Sequence, residues 1–524
     1  MPVPSSAFML VLFGADLVRV DVPDHPNALA TSRLGSTLLG PPTDGTPWRE
    51  EPIPEPTSTP IHESIGREAR SAMNVDAWHH AGIRGAGVSV AVFDIQWFGR
   101  ELNAALADAP SHDCFGHRSC ALPIDTIDPQ FAFETGGHGI ACAEVIRAIA
   151  PDAELHLVRV NGLTALENAV EWAVAEGIDI VSMSMSFFNE SFYDGTGSIA
   201  DAMDVLSAGG TLMVASAGNY ARQHHGGVFT DTDLNGLHEF DGGSETLAVH
   251  LSEGTPKLSV TWDEYRSCGE TDIDAYLYNQ DGLLVGRSKR EQSPSSEGCF
   301  PAETITAAVA EDGWHYLKLY KSRGPVGVEF NVLTRSGYLY RPHARGSVTD
   351  PGSHPSVFTV GAVDADGYRF NEVEEFSSQG PTPTGLHKPD IAGPDGLTTT
   401  VYGPGRFFGT SASTPSVAAA IALIMSEDPT LTPRAAAEFL SANAVSESPH
   451  WTDDPTDVGA GKARLPAINI PTTGCAQRMT LILPPLLLPL ARVRRRPQGA
   501  SIPSMQCDTS AKTPFSLPNS SPPR

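Results

Sequence analysis

From about residue 65 onward, short continuous apolar runs alternate with stretches in which apolar positions recur every three or four residues. Residues 88–94 (VSVAVFD) are apolar almost without interruption, the pattern of a strand buried on both faces, and they end in the carboxylate of Asp94. Similar runs lie at 155–160, 179–184, 211–216 and 358–363. Helical periodicity occupies 139–149, 164–176 and 198–208, with Gly177 and Gly209 placed as C-terminal stops. The alternation predicts an α/β fold, a doubly wound and mostly parallel sheet with flanking helices. In such sheets ligands bind at the carboxyl ends of the strands, where Asp94 stands.

Between about 222 and 346 the period changes to two, as in DIDAYLYNQDGLLVG and GWHYLKLYKSRG, which predicts an inserted antiparallel β-sandwich. The α/β pattern resumes after Val348 and runs to about Pro466. Residues 22–62 are rich in Pro, Thr and Glu without periodicity, so order is expected to begin near Ile65. Four parts result: a largely unstructured N-terminal segment or pro-region (1–64), an α/β domain (65–221 with 347–466), the β-sandwich insert (222–346) and a C-terminal tail (467–524).

Composition narrows the classes. Hydrophobic residues make up 40% and charged residues 19%, as in soluble globular proteins. With 35 Lys and Arg against 62 Asp and Glu, the formal charge of −27 repels nucleic acid, so no nucleic-acid partner is expected. The apolar run 481–490 is about half the length of a spanning helix and is broken by Pro484, Pro485 and Pro489, so no stable transmembrane span is expected. Residues 7–13 read either as a degenerate signal peptide or as a remnant of a pro-region. Of the seven cysteines, Cys114 and Cys120 flank a short loop and Cys268 and Cys299 share one strand-rich segment. Both pairs could be bridged, which would imply an oxidising compartment, whereas Cys142 reads as a buried free thiol.

The segment 409–415, GTSASTP, places Ser411 where a loop enters the apolar run 417–425, with Pro415 read as lying in the first helical turn. A helix N-terminus favours negative charge developing nearby, which suits a nucleophile; a Ser/Thr helix cap fits the same composition. Nucleophilic catalysis by serine also needs a base, an acid to orient that base, and oxyanion donors. Asp94 closes a strand, His138 opens a helix in GGHGIACAEVI, and Asn219 follows a strand in VASAGNY. Alone, each reads as an ordinary cap, loop or turn residue.

Taken together, the stretches VAVFD, GGHGIACAE, GIDIVSMSMS, VASAGN, VFTVGAVDADG, FSSQGPTPTGLHKPDIAGP and GTSASTPSVAAAIALI resemble those of the subtilases, the subtilisin-like serine proteases. The resemblance implies a serine endopeptidase acting on polypeptide substrates through an acyl-enzyme. It assigns Asp94, His138 and Ser411 as the triad and Asn219 as the oxyanion donor. Ser182, Met183, Ser184, Met185, Ala215, Ser216 and Gly218 would be substrate-binding. It further implies a secreted or cell-surface protein of a bacterial envelope, a monomer with no required cofactor. Family members often bind calcium, but no loop here has an assignable ligand spacing. Departures from the family pattern are Ile95, Gln96 and Trp97 after the acid, Ser186 in place of a usual Gly, and Ser416 where His is frequent. The insert resembles the pre-peptidase C-terminal β-sandwich. The tail, with Gly474-Cys475, an apolar run and then arginines at 492 and 494–496, is similar to some Gram-negative C-terminal sorting signals. The alternative is a catalytically inactive subtilase-fold protein that binds through its insert. An α/β-hydrolase esterase would need G-x-S-x-G and the serine first in the chain order.

Overall fold

The computed structural model describes Met9–Leu10 and residues 64–115, 119–124, 136–267, 269–292, 300–325, 327–445 and 455–468. Two short helices, α1 (Arg67–Ala72) and α2 (Val75–His80), lead into β1 (Ser89–Asp94). The first α/β half continues through β2 (Ser111–Asp113), α3 (His138–Ile149), β3 (Glu154–Arg159), α4 (Leu163–Glu176), β4 (Ile180–Met183), β5 (Ser186–Phe187), α5 (Ser198–Ala208) and β6 (Leu212–Ser216). Then come the strands of the insert: β7 (His224–Val228), β8 (Leu247–Leu251), β9 (Lys257–Trp262), β10 (Asp272–Tyr278) and β11 (Leu284–Ser288). They are followed by β12 (Ala302–Thr306), β13 (Gly313–Arg323), β14 (Glu329–Thr334) and β15 (Tyr338–Leu339). The α/β part resumes with β16 (Phe358–Asp364), β17 (Ile391–Asp395), α6 (Thr410–Glu427) and α7 (Pro433–Ala442).

Seven strands form one parallel sheet in the order β17-β16-β6-β4-β1-β3-β2. Because the strands are parallel, their carboxyl ends share one edge. Phe93, Met183 and Ala215 fall in one row across it, and Asp94 lies one residue further along β1. Helix α6 is buried on all sides from Thr410 to Ile424, and its run from Val417 to Met425 is apolar throughout, as suits a helix in the centre of a core. It packs on α3 and on β16, β17, β4 and β6, so its N-terminus reaches the same edge. The expected strands and helices are present with this architecture. In one detail the left-handed step after α5 is taken by Gly210 (φ 89°), while Gly209 remains right-handed.

The insert folds as two antiparallel sheets, β12-β9-β14-β7 and β11-β10-β13-β8-β15. Their inner faces share a core that includes Leu258, Val260, Trp262, Leu277, Leu317, Phe330 and Val332. A two-residue strand at Met9–Leu10 pairs antiparallel with β5, Leu10 opposite Ser186. A disulfide joins Cys114 and Cys120, and Cys142 is a buried free thiol. Cys268 and Cys299, the remainder of the 1–64 segment and the tail signal lie outside the described residues. Among the described residues no helix is long and apolar enough to cross a membrane.

Candidate active site

The helix that carries Ser411 starts earlier than its sequence suggests. It begins at Thr410 rather than beside Pro415, so Ser411 sits in the first turn and Pro415 one turn deeper. A proline inside a helix removes the amide that would bond the carbonyl four residues back, here that of Ser411. Two side chains take up this carbonyl instead: Ser184 Oγ donates to it at 3.1 Å and Cys142 Sγ at 3.7 Å. The lost backbone bond is thus replaced by tertiary ones, which is why the helix tolerates the proline.

Asp94 and His138 meet where the carboxyl end of β1 touches the first residue of α3. Asp94 Oδ2 lies 2.6 Å from His138 Nδ1, and both residues are fully buried. The residues that depart from the family pattern hold the carboxylate in place. Gln96 N–H donates to Asp94 Oδ1 at 3.0 Å, and the Trp97 indole donates to the Asp94 carbonyl at 3.0 Å. The Gln96 carbonyl in turn accepts from Gly139 N–H at 3.0 Å, tying this turn to α3. A Cβ at Gly139 would lie 2.8 Å from the Asp94 Cβ and 2.9 Å from the Trp97 ring, so only glycine lets the helix approach this closely. Burial works against charging His138, but the Asp94 carboxylate and the Cys142 sulfur more than offset it, and the imidazole pKa is raised well above its usual 6.5. Among the described residues His138 Nε2 is buried without a hydrogen-bond partner, so the Ser411 hydroxyl is not bonded to it in this arrangement.

Asn219 follows β6 in a loop that docks on the start of α6. Its Oδ1 accepts from Thr410 N–H at 3.0 Å and from Thr410 Oγ1 at 2.9 Å, capping the helix and leaving Nδ2 as the available donor. Gly409 precedes the helix at φ 104° and ψ 163°, a conformation essentially confined to glycine, and a Cβ there would come within 2.9 Å of Asn219 Nδ2. Asp395 Oδ2 accepts from Gly409 N–H at 2.8 Å and completes the cap. The structure therefore gathers Asp94, His138, Asn219 and Ser411 around one edge of the sheet.

The residues assigned to substrate binding are all buried. Met183 and Met185 pack in the core with Phe93, Val158 and Leu166, so any contact they make with a substrate would be through backbone. Among the described residues Ser182 Oγ has no hydrogen-bond partner. Gly218 (φ 100°) donates from its N–H to Thr410 Oγ1 at 3.3 Å, and its carbonyl accepts from Ser378 N–H at 2.9 Å, which fixes the loop that carries Asn219.

Sequence reasoning missed the parts played by Cys142, Ser184, Thr410 and Asp395. Only Cys142 carried a usable signal, since it lies four residues after His138 on one helix face.

A model of the subtilase family matches residues 85–253 and 336–465, more than half of the chain, and the chain belongs to that family. Among its relatives, the minor extracellular protease Vpr of Bacillus subtilis is 26% identical over 452 residues, covering 74% of this chain and 52% of Vpr. The serine protease AprX of the same species is 32% identical over 136 residues, covering 22% of this chain and 30% of AprX. The chain thus spans about half the length, or less, of these curated relatives. The structure of the Clostridium perfringens CspB protease superposes with a TM-score of 0.53 at 15% identity, covering 76% of this chain and 97% of that one, a likeness of fold.

Proposed function

We propose that the protein is a serine endopeptidase that hydrolyses peptide bonds in polypeptides through an acyl-enzyme. The observation that carries the reading is the 2.6 Å contact of Asp94 with His138 Nδ1, which leaves the buried Nε2 free to take a proton. As Ser411 Oγ bonds to the peptide carbonyl carbon, its proton passes to His138 Nε2 and the carbonyl electron pair moves onto oxygen. Asn219 Nδ2 and the Ser411 amide, in the first turn of α6, donate to that oxyanion, and the helix dipole adds to their effect. Collapse breaks the C–N bond, with the proton passing from His138 to the leaving amine. Water then attacks the ester by the same route, with His138 again as base.

Protein side chains and backbone suffice for these steps. Ser182–Ser186 and Ala215–Gly218 are proposed to line the bound peptide. A place outside the cytoplasm is proposed from the Cys114–Cys120 disulfide and from the extracellular relative Vpr. The test is labelling of the purified chain with a fluorophosphonate probe together with casein hydrolysis. Wild type is expected to be labelled and active and Ser411→Ala to be neither. Equal hydrolysis by the two proteins would sink the assignment, and an unlabelled, inactive wild type would point to a binding protein.

A further inference from the structure

The insert leaves the α/β part along β7 and returns through residues 340–347, and the two crossings run side by side, His343 N–H donating to the His224 carbonyl at 2.7 Å. Three side chains from separate segments converge here: His225 on β7, Asp241 in the turn after Phe240, and His343 on the return. One candidate metal-donor atom from each lies within 4.8 Å of the other two. The His225 and His343 rings stack with centroids 3.9 Å apart, and Phe240 packs edge-on against His225. Arg341 donates to the Asp241 carbonyl at 3.3 Å and steadies the turn that presents the carboxylate.

The hydrogen bonds decide which nitrogen is basic. His343 Nδ1 lies 2.8 Å from the Gly226 carbonyl, and His225 Nδ1 lies 3.2 Å from the Arg341 carbonyl. A carbonyl only accepts, so each Nδ1 carries a proton and each ring keeps Nε2 as its basic atom. His343 Nε2 then faces Asp241 Oδ2 at 2.8 Å. Two acceptors at that distance require either a second proton on the ring or a cation shared between them. An imidazole tied to a backbone carbonyl through Nδ1, with Nε2 left for the ion, is how proteins orient metal-ligating histidines.

We propose that His225, Asp241 and His343 form a binding site for a divalent transition metal of the zinc type. Two imidazoles and one carboxylate suit zinc better than calcium or magnesium, which take oxygen ligands. Water would fill a fourth, tetrahedral position. Donors around a zinc ion sit roughly 3.3 Å apart, from bonds of about 2.0–2.1 Å, so closure needs side-chain shifts of about an ångström. The Asp241 and His343 side chains are 56% and 36% exposed, giving the ion a route in, while His225 is buried beneath them. A bound ion would clamp the exit and return of the insert together, a structural role that does not rest on the protease reading.

The competing account is a plain His343–Asp241 ion pair. The full chain, stripped with a chelator, is titrated with cobalt(II) and then with zinc(II). The proposal expects the intense visible absorption of tetrahedral cobalt, its loss as zinc displaces the ion, and a zinc-dependent rise in melting temperature. His343→Gln and Asp241→Asn should both lose the cobalt spectrum, bind cobalt at least ten-fold more weakly and lose the melting shift. Since both positions are partly exposed, the variants should fold, and circular dichroism checks this. A wild type with neither spectrum nor shift, or one matched in both by the folded variants, overturns the site.

Discussion

Ser184 Oγ donates to the backbone carbonyl of Ser411 at 3.1 Å, joining the strand edge proposed to hold substrate to the residue proposed to attack it. That carbonyl is free because Pro415 supplies no amide to it. Pro415→Ala restores the amide, which then competes with Ser184 for the same oxygen. The expected result is a lower kcat with a melting temperature unchanged or raised. Ser184→Ala should instead lower both, with a stability loss of about 1–3 kcal/mol, because it takes away a partner of a buried carbonyl. Parallel melting curves and steady-state kinetics distinguish the two.

The raised pKa of His138 sets a pH dependence. In the proposed mechanism the imidazole must be neutral to accept the Ser411 proton, so kcat/KM should climb with pH through an inflection above 6.5 and hold a plateau on the alkaline side. The same shift bears on stability. A base whose folded pKa is raised stabilises the fold fully below the unfolded value and loses that contribution as pH rises through the folded value. Asp94→Asn removes the main attraction, and it should lower kcat by roughly 10⁴-fold, as when a triad acid no longer holds the correct tautomer. An inflection at or below 6.5 in wild type would contradict the electrostatic reading.

Asn219 uses its oxygen to cap α6, which leaves its nitrogen for the proposed oxyanion contact. Asn219→Asp preserves the cap but replaces the donor with a second acceptor, so kcat should fall by at least the ~10²–10³-fold typical of a lost oxyanion donor, while KM changes little. Asn219→Ala loses both functions and should in addition melt earlier. If the two variants have the same kcat and the same melting temperature as wild type, Asn219 plays neither part.

Much of the candidate site's placement was legible before any coordinates, because Asp94 ends a strand, His138 opens a helix, Asn219 follows a strand and Ser411 lies in the first turn of a helix, each within a distinctive local sequence. The parallel sheet was legible for a related reason, since strands buried on both faces read as unbroken apolar runs. What the chain conceals is which backbone groups change partners. Pro415 suggested a helix start by propensity, yet tertiary donors from residues far away in sequence compensate for its missing amide. Likewise, His225, Asp241 and His343 lie in three separate segments, and only the fold of the insert brings them together. The pairing of Met9–Leu10 with β5 had no periodic signal, two residues being too short for one.

Gly409 offers the sharpest separation of stability from chemistry. At φ 104° and ψ 163° a non-glycine residue costs about 1–3 kcal/mol, so Gly409→Ala should lower stability by that order. The added Cβ also falls 2.9 Å from Asn219 Nδ2, the proposed oxyanion donor, and must displace it. Activity should therefore fall well beyond what the unfolded fraction explains. Comparison with Gly177→Ala isolates the second effect. Gly177 also has a positive φ (71°), but among the described residues a Cβ there meets nothing within 4 Å, and the residue lies at the far end of α4. Both variants should melt earlier than wild type, and only Gly409→Ala should lose kcat when the folded fraction is held equal, as measured at a temperature well below both transitions. Equal kcat in the two would mean that Asn219 moves aside without consequence, and the oxyanion role assigned to it would have to pass to the backbone amides of α6.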